Sequence, residues 1–211
     1  MSADKKTHWE TVYATKTPDQ VSWTQETPEI SLELIESLQV KKNAKIIDVG
    51  GGDSKLVDCL LDRGYTNITV LDISKKALER AQARLGVRAK LVNWIVSDIT
   101  NFNPDTTFEV WHDRAAFHFL TEPDDINKYI SLTNHFVSGY LVLGTFSTQG
   151  PEKCSGLNIS QYSESSLSTT FKASFEPITC KTEDHNTPFS TTQNFVFCSF
   201  KKKIISQQLT F

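Results

Sequence analysis

The feature that most constrains the fold is the stretch of residues 45–54, KIIDVGGGDS, in which a short apolar run contains an acid and is followed by three glycines. The apolar residues suit a strand that is buried on both faces of a parallel sheet. Glycines allow a sharp turn and a close approach of a ligand to the backbone, because no Cβ stands in the way. Asp53 or Ser54 can cap the helix that follows. Such a strand, turn and helix start are typical of the nucleotide cradle of an open α/β sheet.

The residues around the glycines restrict what this cradle can bind. Gly50 and Gly52 fill the first two places of the dinucleotide-binding pattern Gly-x-Gly-x-x-Gly, but Lys55 stands at the third. This mismatch weakens a nicotinamide or flavin interpretation. Asp48 would repel a pyrophosphate, whereas it suits a ligand that carries an ammonium or sulfonium group. A plain tight turn is the alternative interpretation.

Length, charge and cysteine spacing narrow the functional classes. The 211 residues suit one domain, and the net charge of −3 gives no basic footprint for a nucleic-acid partner. No apolar run approaches the ~20 residues of a membrane span, so we expect a cytoplasmic protein without membrane contact. The widely spaced cysteines are interpreted as free thiols in a reducing compartment, and no metal site is expected. They are Cys59, Cys154, Cys180 and Cys198.

Apolar periodicity divides the chain into alternating strands and helices. After the glycine turn, the strands are predicted at residues 67–72, 90–97, 108–113 and 139–146. Residues 172–181 and 193–200 are predicted to pair as an antiparallel hairpin. This order predicts a single α/β domain with a mainly parallel sheet and a C-terminal antiparallel strand. We place the domain at residues 28–203, between an N-terminal arm or lid (1–27) and a tail (204–211).

Four aspartates, Asp48, Asp72, Asp98 and Asp113, close successive predicted strands. Ligands of open α/β sheets bind outside these carboxyl ends, so the four acids are expected at one rim. Asp72 follows the glycines by 20 residues, where an acid commonly binds a ribose. Asp98 could accept from an adenine amino group while Ile99 packs on the ring. Each acid also has a structural alternative, such as capping a turn or pairing with a neighbouring arginine.

The series Asp48-x-Gly50-x-Gly52, then Leu71-Asp72, then Ser97-Asp98-Ile99 resembles the class I S-adenosylmethionine-dependent methyltransferases. The resemblance covers roughly residues 28–200 in order and spacing. It implies a Rossmann-like, doubly wound sheet of seven strands and S-adenosylmethionine as the cofactor, with S-adenosylhomocysteine as its product. The sequence departs from the family pattern at the last glycine, where Ser54 stands.

Further stretches resemble smaller groups within the family. The segments HWExxY at residues 8–13, VSW at 21–23 and WHDRAAFHFL at 111–120 are similar to small bacterial methyltransferases. The Asp113-Arg114 step resembles the thiopurine methyltransferase type. The first of these segments is also similar to a stretch in some eukaryotic protein-lysine methyltransferases.

The resemblance implies roles for the matched positions. The glycines and Asp48 would hold the methionine part, Asp72 the ribose, and Asp98 with Ile99 the adenine. The active site would begin at Asp113 and Arg114, after the fourth strand. The cofactor-binding candidates are therefore Asp48, Gly50, Gly51, Gly52, Asp72, Ile73, Asp98, Ile99 and Asp113.

Methyl transfer requires little chemistry from side chains, because alignment and desolvation supply much of the acceleration. If the acceptor arrives protonated, Asp113 or His118 could act as base, and Arg114 could orient an anionic acceptor. His118 has an equally simple interpretation as a buried histidine within an apolar run. Trp23 is a candidate wall for the substrate, or an anchor of the N-terminal arm.

The expected function is methyl transfer from S-adenosylmethionine to a small-molecule acceptor by a monomer or homodimer. Three alternatives stay open. The first is methylation of a protein side chain, which co-purification of a methylated partner would favour. The second is a nicotinamide-dependent oxidoreductase, which NAD binding would test, and the third is a non-catalytic cofactor-binding domain, which a turnover assay would test. The sequence alone does not identify the acceptor or the atom that is methylated.

Overall fold

The computed structural model describes residues 2–204, with side chains described from residue 5 onward. Its α-helices are α1 (Ser2–Thr15), α2 (Glu29–Ser37), α3 (Leu56–Asp62), α4 (Lys75–Leu85), α5 (Pro123–Phe136) and α6 (Glu164–Phe171). Its strands are β1 (Ile46–Val49), β2 (Ile68–Asp72), β3 (Val92–Val96), β4 (Phe108–Arg114), β5 (Val137–Phe146), β6 (Lys153–Cys154), β7 (Leu157–Asn158), β8 (Phe175–Asn186) and β9 (Thr192–Lys202). Short 3₁₀ helices lie at Pro18–Gln20, Gly86–Leu91, Ile99–Asn101 and Phe117–Phe119.

Seven strands form one sheet in the order β3-β2-β1-β4-β5-β9-β8. The pairs among β1 to β5 are parallel, whereas β9 runs antiparallel to both of its neighbours. The predicted doubly wound, mainly parallel sheet with one antiparallel strand is therefore confirmed. The short hairpin of β6 and β7 was not predicted. The predicted loop between the last two strands is shorter than expected, because β8 continues to Asn186.

The two faces of the sheet bury different helices, because successive side chains of a strand point to opposite faces. Ile46 packs with the apolar residues of α2, α3 and α4, whereas Ile47 and Val49 pack with those of α5 and α6. This alternation decides which polar residues of β1 and β4 face which helices. Asp48 and His112 share the α2 face, and Asp113 lies on the α5 face.

Cysteine pairing differs from the prediction of four free thiols. Cys180 on β8 and Cys198 on β9 are register partners and form a disulfide, with Cα atoms 4.1 Å apart. Cys59 and Cys154 are free. The prediction was wrong because wide spacing along the chain says nothing about strand register, which places two distant residues side by side. The disulfide removes the cysteine argument for a reducing compartment.

The N-terminal segment begins with a helix, α1, which packs beside α4. Most of the predicted tail, residues 205–211, lies outside the described residues. No helix among residues 2–204 has the length and apolar character needed to cross a bilayer.

Candidate active site

A cleft lies at the carboxyl ends of β1, β2, β3 and β4, where the sequence placed the ligand. Its walls include nine of the predicted site residues, namely Trp23, Asp48, Gly50, Gly51, Asp72, Ile73, Asp98, Ile99 and Arg114. Three further predicted residues, Gly52, Asp113 and His118, are not among the residues that line it. The structure thus brings most of the predicted site together and excludes two of the three predicted catalytic side chains.

The glycine turn leaves its backbone bare because the surroundings leave no room for side chains. Gly50 and Gly52 have φ angles of +66° and +51°, a region that favours glycine. A Cβ on Gly50 would lie 2.5 Å from the Cβ of Ala116. A Cβ on Gly51 would lie 2.5 Å from Oδ2 of Asp48. The turn therefore offers backbone atoms to the cleft directly above a carboxylate.

Neither predicted cap serves α3 in the expected way. The helix begins at Leu56 without a side-chain cap, although Ser54 Oγ accepts a hydrogen bond from the Leu56 amide at 3.2 Å. Asp53 instead pairs with Arg80 on α4, with 3.4 Å between Oδ2 and Nη1. This ion pair ties the end of the glycine turn to α4.

Asp48 forms a buried chain of hydrogen bonds with residues of β4 and α2. Its Oδ1 lies 2.7 Å from Nδ1 of His112, and Nε2 of His112 lies 2.9 Å from Oγ of Ser31. The relative exposures of Asp48, His112 and Ser31 are 3%, 1% and 1%. Asp48 and His112 line the cleft, whereas Ser31 lies behind them. Neither His112 nor Ser31 was among the site residues predicted from the sequence.

Asp72 closes β2 with a buried carboxyl. Its Oδ1 accepts a hydrogen bond from the Ser74 amide at 2.8 Å. Burial raises the pKa of Asp72 to about 7, and the nearby carboxylates of Asp53 and Asp48 add to the rise. The hydrogen bonds from the Ser74 and Gly52 amides act in the opposite direction. The surroundings of Asp72 therefore disfavour the charged form of its carboxyl group.

Asp98 caps the short helix Ile99–Asn101 at the end of β3. Its Oδ1 accepts from the amide and the hydroxyl of Thr100, each at 2.9 Å. Ile99 is buried beside it, and both residues line the cleft. The acid thus has the structural role that the sequence left open. Because it also lines the cleft, the adenine contact stays a prediction.

Asp113 points away from the cleft, towards α5. Its Oδ1 accepts from the amides of Ala116 and Phe117 at 3.0 and 3.1 Å, and Tyr129 donates its hydroxyl to Oδ2 at 2.8 Å. Burial raises its pKa to about 6, although these hydrogen bonds oppose the rise. Asp113 is not among the residues that line the cleft, and its expected cofactor-binding and catalytic roles stay predictions. It lies one residue beyond His112 and therefore faces the opposite side of β4, where it holds the chain turn after the strand.

His118 is also enclosed by protein. Its ring packs against Phe119 and Phe146, with centroids 4.6 and 4.7 Å away, and Nδ1 accepts from the Phe146 amide at 3.3 Å. Burial lowers its pKa to about 3, so the ring is neutral at physiological pH. The geometry supports the interpretation of His118 as a buried histidine in apolar surroundings. His118 does not line the cleft, and its catalytic role stays a prediction.

Arg114 and Trp23 meet at the cleft on the β4 side. Nη1 of Arg114 donates to the carbonyl oxygen of Trp23 at 3.1 Å. Burial lowers the pKa of Arg114, whereas the negative charges of Asp48 and Glu183 counteract the fall. Arg114 thus fixes the segment that carries Trp23. Together with Lys5, it brings positive charge to a cleft that also holds the carboxylates of Asp48, Asp72 and Asp98.

Helix α1 supplies cleft residues that were not among the predicted site residues. Trp9 packs against Trp23 and Phe119, with ring centroids 5.8 and 5.1 Å away. The Tyr13 hydroxyl lies 2.6 Å from the position of a Cβ on Gly52. All four rings line the cleft, so α1 closes over the glycine turn. Three large aromatics within a polar arm were the only sequence signal for this contact.

Glu10 joins α1 to the N-terminus of α4. Its Oε1 accepts from the amide of Lys75 at 2.8 Å, and Oε2 accepts from the Ser74 hydroxyl at 3.0 Å and the Lys76 amide at 3.2 Å. Ser74 itself caps the helix by accepting from the amide of Ala77 at 3.2 Å. A carboxylate at this end of a helix also interacts favourably with the helix dipole. This glutamate was not predicted, because its partners lie more than 60 residues away.

No group of three or more histidine, cysteine, aspartate or glutamate side chains is arranged to hold a metal ion in the part of the chain that the structure describes. The polar groups that line the cleft include its carboxylates, Lys5, Arg114, His112 and the bare backbone of the turn.

Comparison with known proteins agrees with this geometry. Residues 46–135 match the family described as "Methyltransferase domain". The chain is 32% identical over 99 residues to the eEF1A lysine and N-terminal methyltransferase of Mus musculus, which covers 45% of this chain and 14% of that protein. It is 31% identical over 112 residues to malonyl-[acyl-carrier protein] O-methyltransferase 1 of Ilyobacter polytropus, with coverages of 50% and 39%. The chain thus spans less than half the length of these curated relatives.

A solved structure resembles the whole chain. The 1,6-didemethyltoxoflavin-N1-methyltransferase of Burkholderia thailandensis, bound to 1,6-didemethyltoxoflavin and S-adenosylhomocysteine, aligns with a TM-score of 0.70. The alignment covers 96% of this chain and 88% of that one, at 15% identity, which speaks for the fold alone. The chain therefore has the class I methyltransferase fold, and its residues 46–135 match a methyltransferase domain.

Proposed function

We propose that this protein transfers the methyl group of S-adenosylmethionine to a small-molecule acceptor. The observation that carries the proposal is the glycine turn at the end of β1, which exposes backbone atoms to a cleft whose rim holds Asp48, Asp72 and Asp98. This combination suits a nucleoside that carries a positively charged group. The matched methyltransferase domain covers all of these residues.

The residues of the cleft fit the cofactor in type and position. Asp48 beneath the turn suits the methionine ammonium, and Asp72 with Ile73 suits the ribose. Asp98 and Ile99 offer an acceptor and an apolar surface to the adenine. The turn has no side chains at Gly50 and Gly51, so a ligand can approach its backbone closely. A Cβ at either position would lie 2.5 Å from neighbouring protein atoms.

The protein's own contribution to transfer is orientation and exclusion of water. When bound, S-adenosylmethionine supplies an electrophilic methyl group on sulfur. The aromatic rings of Trp9, Tyr13, Trp23 and Phe119 close the cleft on one side and desolvate the acceptor. Because neither Asp113 nor His118 lines the cleft, the acceptor needs a free lone pair on its attacking atom and no base from these two residues. Arg114 and Trp23 remain the residues that we assign to the substrate.

The aromatic rings along one side of the cleft favour a small acceptor. A second candidate rests on one comparison. The matched eEF1A lysine and N-terminal methyltransferase is named for a protein substrate, which keeps a protein acceptor for this chain as the alternative. The toxoflavin enzyme, in contrast, is named for a small heterocycle. Likeness to the thiopurine methyltransferase type and to the small bacterial methyltransferases remains a proposal. The same holds for the lid at residues 1–27, for the domain boundaries at 28–203 and for a cytoplasmic location.

The first test is calorimetric titration of the purified protein with S-adenosylmethionine, S-adenosylhomocysteine and NAD. We expect micromolar binding of the first two and no binding of NAD. Binding of NAD alone, or of none of the three, would overturn the cofactor assignment.

The acceptor class is tested separately with methyl-labelled S-adenosylmethionine in a cell extract. The extract is divided by size, and the label is followed in the small-molecule and protein fractions. Label in the small-molecule fraction supports the proposal, and label in a protein band supports the alternative. Cofactor binding without any transfer would indicate a non-catalytic binding domain.

A further inference from the structure

We infer that Ser31 and His112 are positioning residues that hold the Asp48 carboxylate towards the methionine ammonium of the cofactor. The inference rests on the proposed function, because it assigns a task to side chains that the cleft chemistry alone leaves unexplained. Neither residue belongs to the cofactor pattern of glycines and acids that the sequence indicated.

The chain of bonds is built from three separate elements. Parallel pairing of β1 and β4 makes Asp48 and His112 register partners, so their side chains share one face of the sheet. Helix α2 packs on that face and brings Ser31 to the far side of the imidazole. The two contacts, at 2.7 and 2.9 Å, are of normal hydrogen-bond length and lie almost entirely out of solvent.

The direction of the bonds follows from what each group can donate. A carboxylate only accepts, so Nδ1 of His112 carries the hydrogen and donates it to Oδ1 of Asp48. In the neutral ring Nε2 then accepts from the hydroxyl of Ser31. With Oδ1 held in this way, Oδ2 of Asp48 lies under the glycine turn, 2.5 Å from the position of a Cβ on Gly51. The histidine therefore occupies one carboxylate oxygen and leaves the other at the ligand side.

The same three residue types could form a nucleophilic triad, but the geometry is against that role. A nucleophilic serine must face the substrate, with its oxygen open to the reacting atom. Ser31 is 1% exposed and does not line the cleft. His112 does line it, but both of its ring nitrogens are engaged, so it has no free nitrogen for an acceptor proton. Support of Asp48 is the role that remains.

The test compares two ligands that differ only where Asp48 is inferred to act. S-adenosylhomocysteine carries the amino-acid part, whereas 5′-methylthioadenosine lacks it and keeps the adenine and ribose. A variant that only misplaces Asp48 should lose affinity for the first ligand and retain affinity for the second. A general structural defect should weaken both ligands alike.

Three variants separate the contributions. His112→Leu removes both bonds, and we expect about 10- to 100-fold weaker binding of S-adenosylhomocysteine, by analogy with the loss seen when the hydrogen-bond partners of metal ligands are removed. Ser31→Ala removes one hydroxyl, and we expect about a 5-fold loss, as for one neutral hydrogen bond. His112→Asn retains a donor near the position of Nδ1 and should recover much of the affinity that His112→Leu loses.

Thr133→Val is the matched control, because it deletes a buried hydroxyl that bonds within α5 on the opposite face of the sheet. It should change neither affinity. Circular dichroism of each variant checks that the fold is retained, and Ser31→Ala with His112→Asn carry the test if His112→Leu does not fold.

Two results would overturn the inference in different ways. Equal loss of both ligands in Ser31→Ala and His112→Leu, or unchanged affinity for both, would show that the two residues do not act through the methionine part. A wild-type protein that binds neither ligand would refute the proposed function itself, and the inference with it. Selective loss of S-adenosylhomocysteine, with recovery in His112→Asn, is the expected outcome.

Discussion

Replacing Glu10 with glutamine should loosen the closure of α1 over the cleft. The Glu10 carboxylate accepts from the amides of Lys75 and Lys76 and from the hydroxyl of Ser74, and so joins two helices that are distant in sequence. The first amides of a helix have no partners within the helix and depend on such acceptors. Glutamine has the same size, but it has one acceptor oxygen and no charge, so it cannot serve all three donors equally.

The magnitude follows from the type of contact. Loss of a helix cap costs about 0.5–2 kcal/mol, and a charge near a helix N-terminus contributes about 0.3–1 kcal/mol. Glu10 is partly exposed, so solvent screens it and the lower half of these ranges applies. We therefore expect about 1 kcal/mol, which corresponds to an approximately 5-fold increase in the open population of α1.

Hydrogen exchange of the α1 amides measures this opening directly. We expect protection in α1 to fall about 5-fold in Glu10→Gln, while the central strands keep theirs. Glu79→Gln is the matched control, because Glu79 makes only an exposed pair with Lys75, at 3.1 Å, on the surface of α4. Unchanged protection in Glu10→Gln, or an equal change in the control, would refute the idea that Glu10 holds the helix closed.

The effect should also depend on pH. Burial raises the pKa of Glu10, but the bonds from Lys75, Lys76 and Ser74 outweigh it, and the pKa lies below the ordinary 4.5. A lowered carboxyl pKa stabilises the folded state above the unfolded-state value, and that stabilisation is lost as pH falls through the folded-state value. The difference between wild type and Glu10→Gln should therefore be full at neutral pH and shrink below about pH 4.5. A difference that grows on acidification would contradict this sign.

Three further perturbations test other parts of the structure. Asp72 has a pKa raised to about 7, so the wild type should lose stability as the pH rises from about 4 to 7. In thermal melts, Asp72→Asn should lack this loss, and it should bind S-adenosylhomocysteine more weakly. Tyr129→Phe removes the hydroxyl bond to Asp113 and should lower the free energy of unfolding by about 1–3 kcal/mol in urea, with cofactor affinity unchanged. Reduction of the disulfide between Cys180 and Cys198, 18 residues apart, should cost about 3 kcal/mol by the same measurement, and Cys180→Ser should be insensitive to reductant.

Each of these has a contrary outcome. If the melting temperatures of Asp72→Asn and the wild type changed equally with pH, burial would not destabilise the charged form of the Asp72 carboxyl. A Tyr129→Phe protein that keeps its stability but loses affinity for the cofactor would indicate that Asp113 takes part in cofactor binding. Equal unfolding midpoints with and without reductant would show that the disulfide does not constrain the unfolded chain.

The sheet and the cofactor side of the cleft were predictable because both depend on local patterns. Apolar runs that end in acids, with a glycine turn after the first, place Asp48, Asp72 and Asp98 at one edge of any parallel sheet. Ser74 could be identified as a cap because its partner, the amide of Ala77, is three residues away. Such features need no knowledge of which distant segments meet.

The catalytic side was predicted less well because strand register decides it. The consecutive residues Asp113 and Arg114 were both predicted for the site, but alternate side chains of a strand face opposite ways. Once β1 and β4 pair, His112 is opposite Asp48, and Asp113 must face α5. The alternation itself was visible in the sequence, whereas the pairing that selects one face was not.

The charge of the cleft gives a physical reason why a cationic cofactor suits it better than a dinucleotide. Burial is the main cause of the raised pKa of Asp72, and the nearby carboxylates of Asp53 and Asp48 add to the rise, so negative charge on Asp72 is unfavourable. Such unfavourable charge at a site is commonly retained where function needs it. A ligand with an ammonium and a sulfonium would relieve the repulsion, whereas a pyrophosphate would increase it. The mismatch at Lys55 and the acid at Asp48 therefore point to the same class of ligand for independent reasons: one concerns the shape of the turn, and the other concerns the charge beneath it.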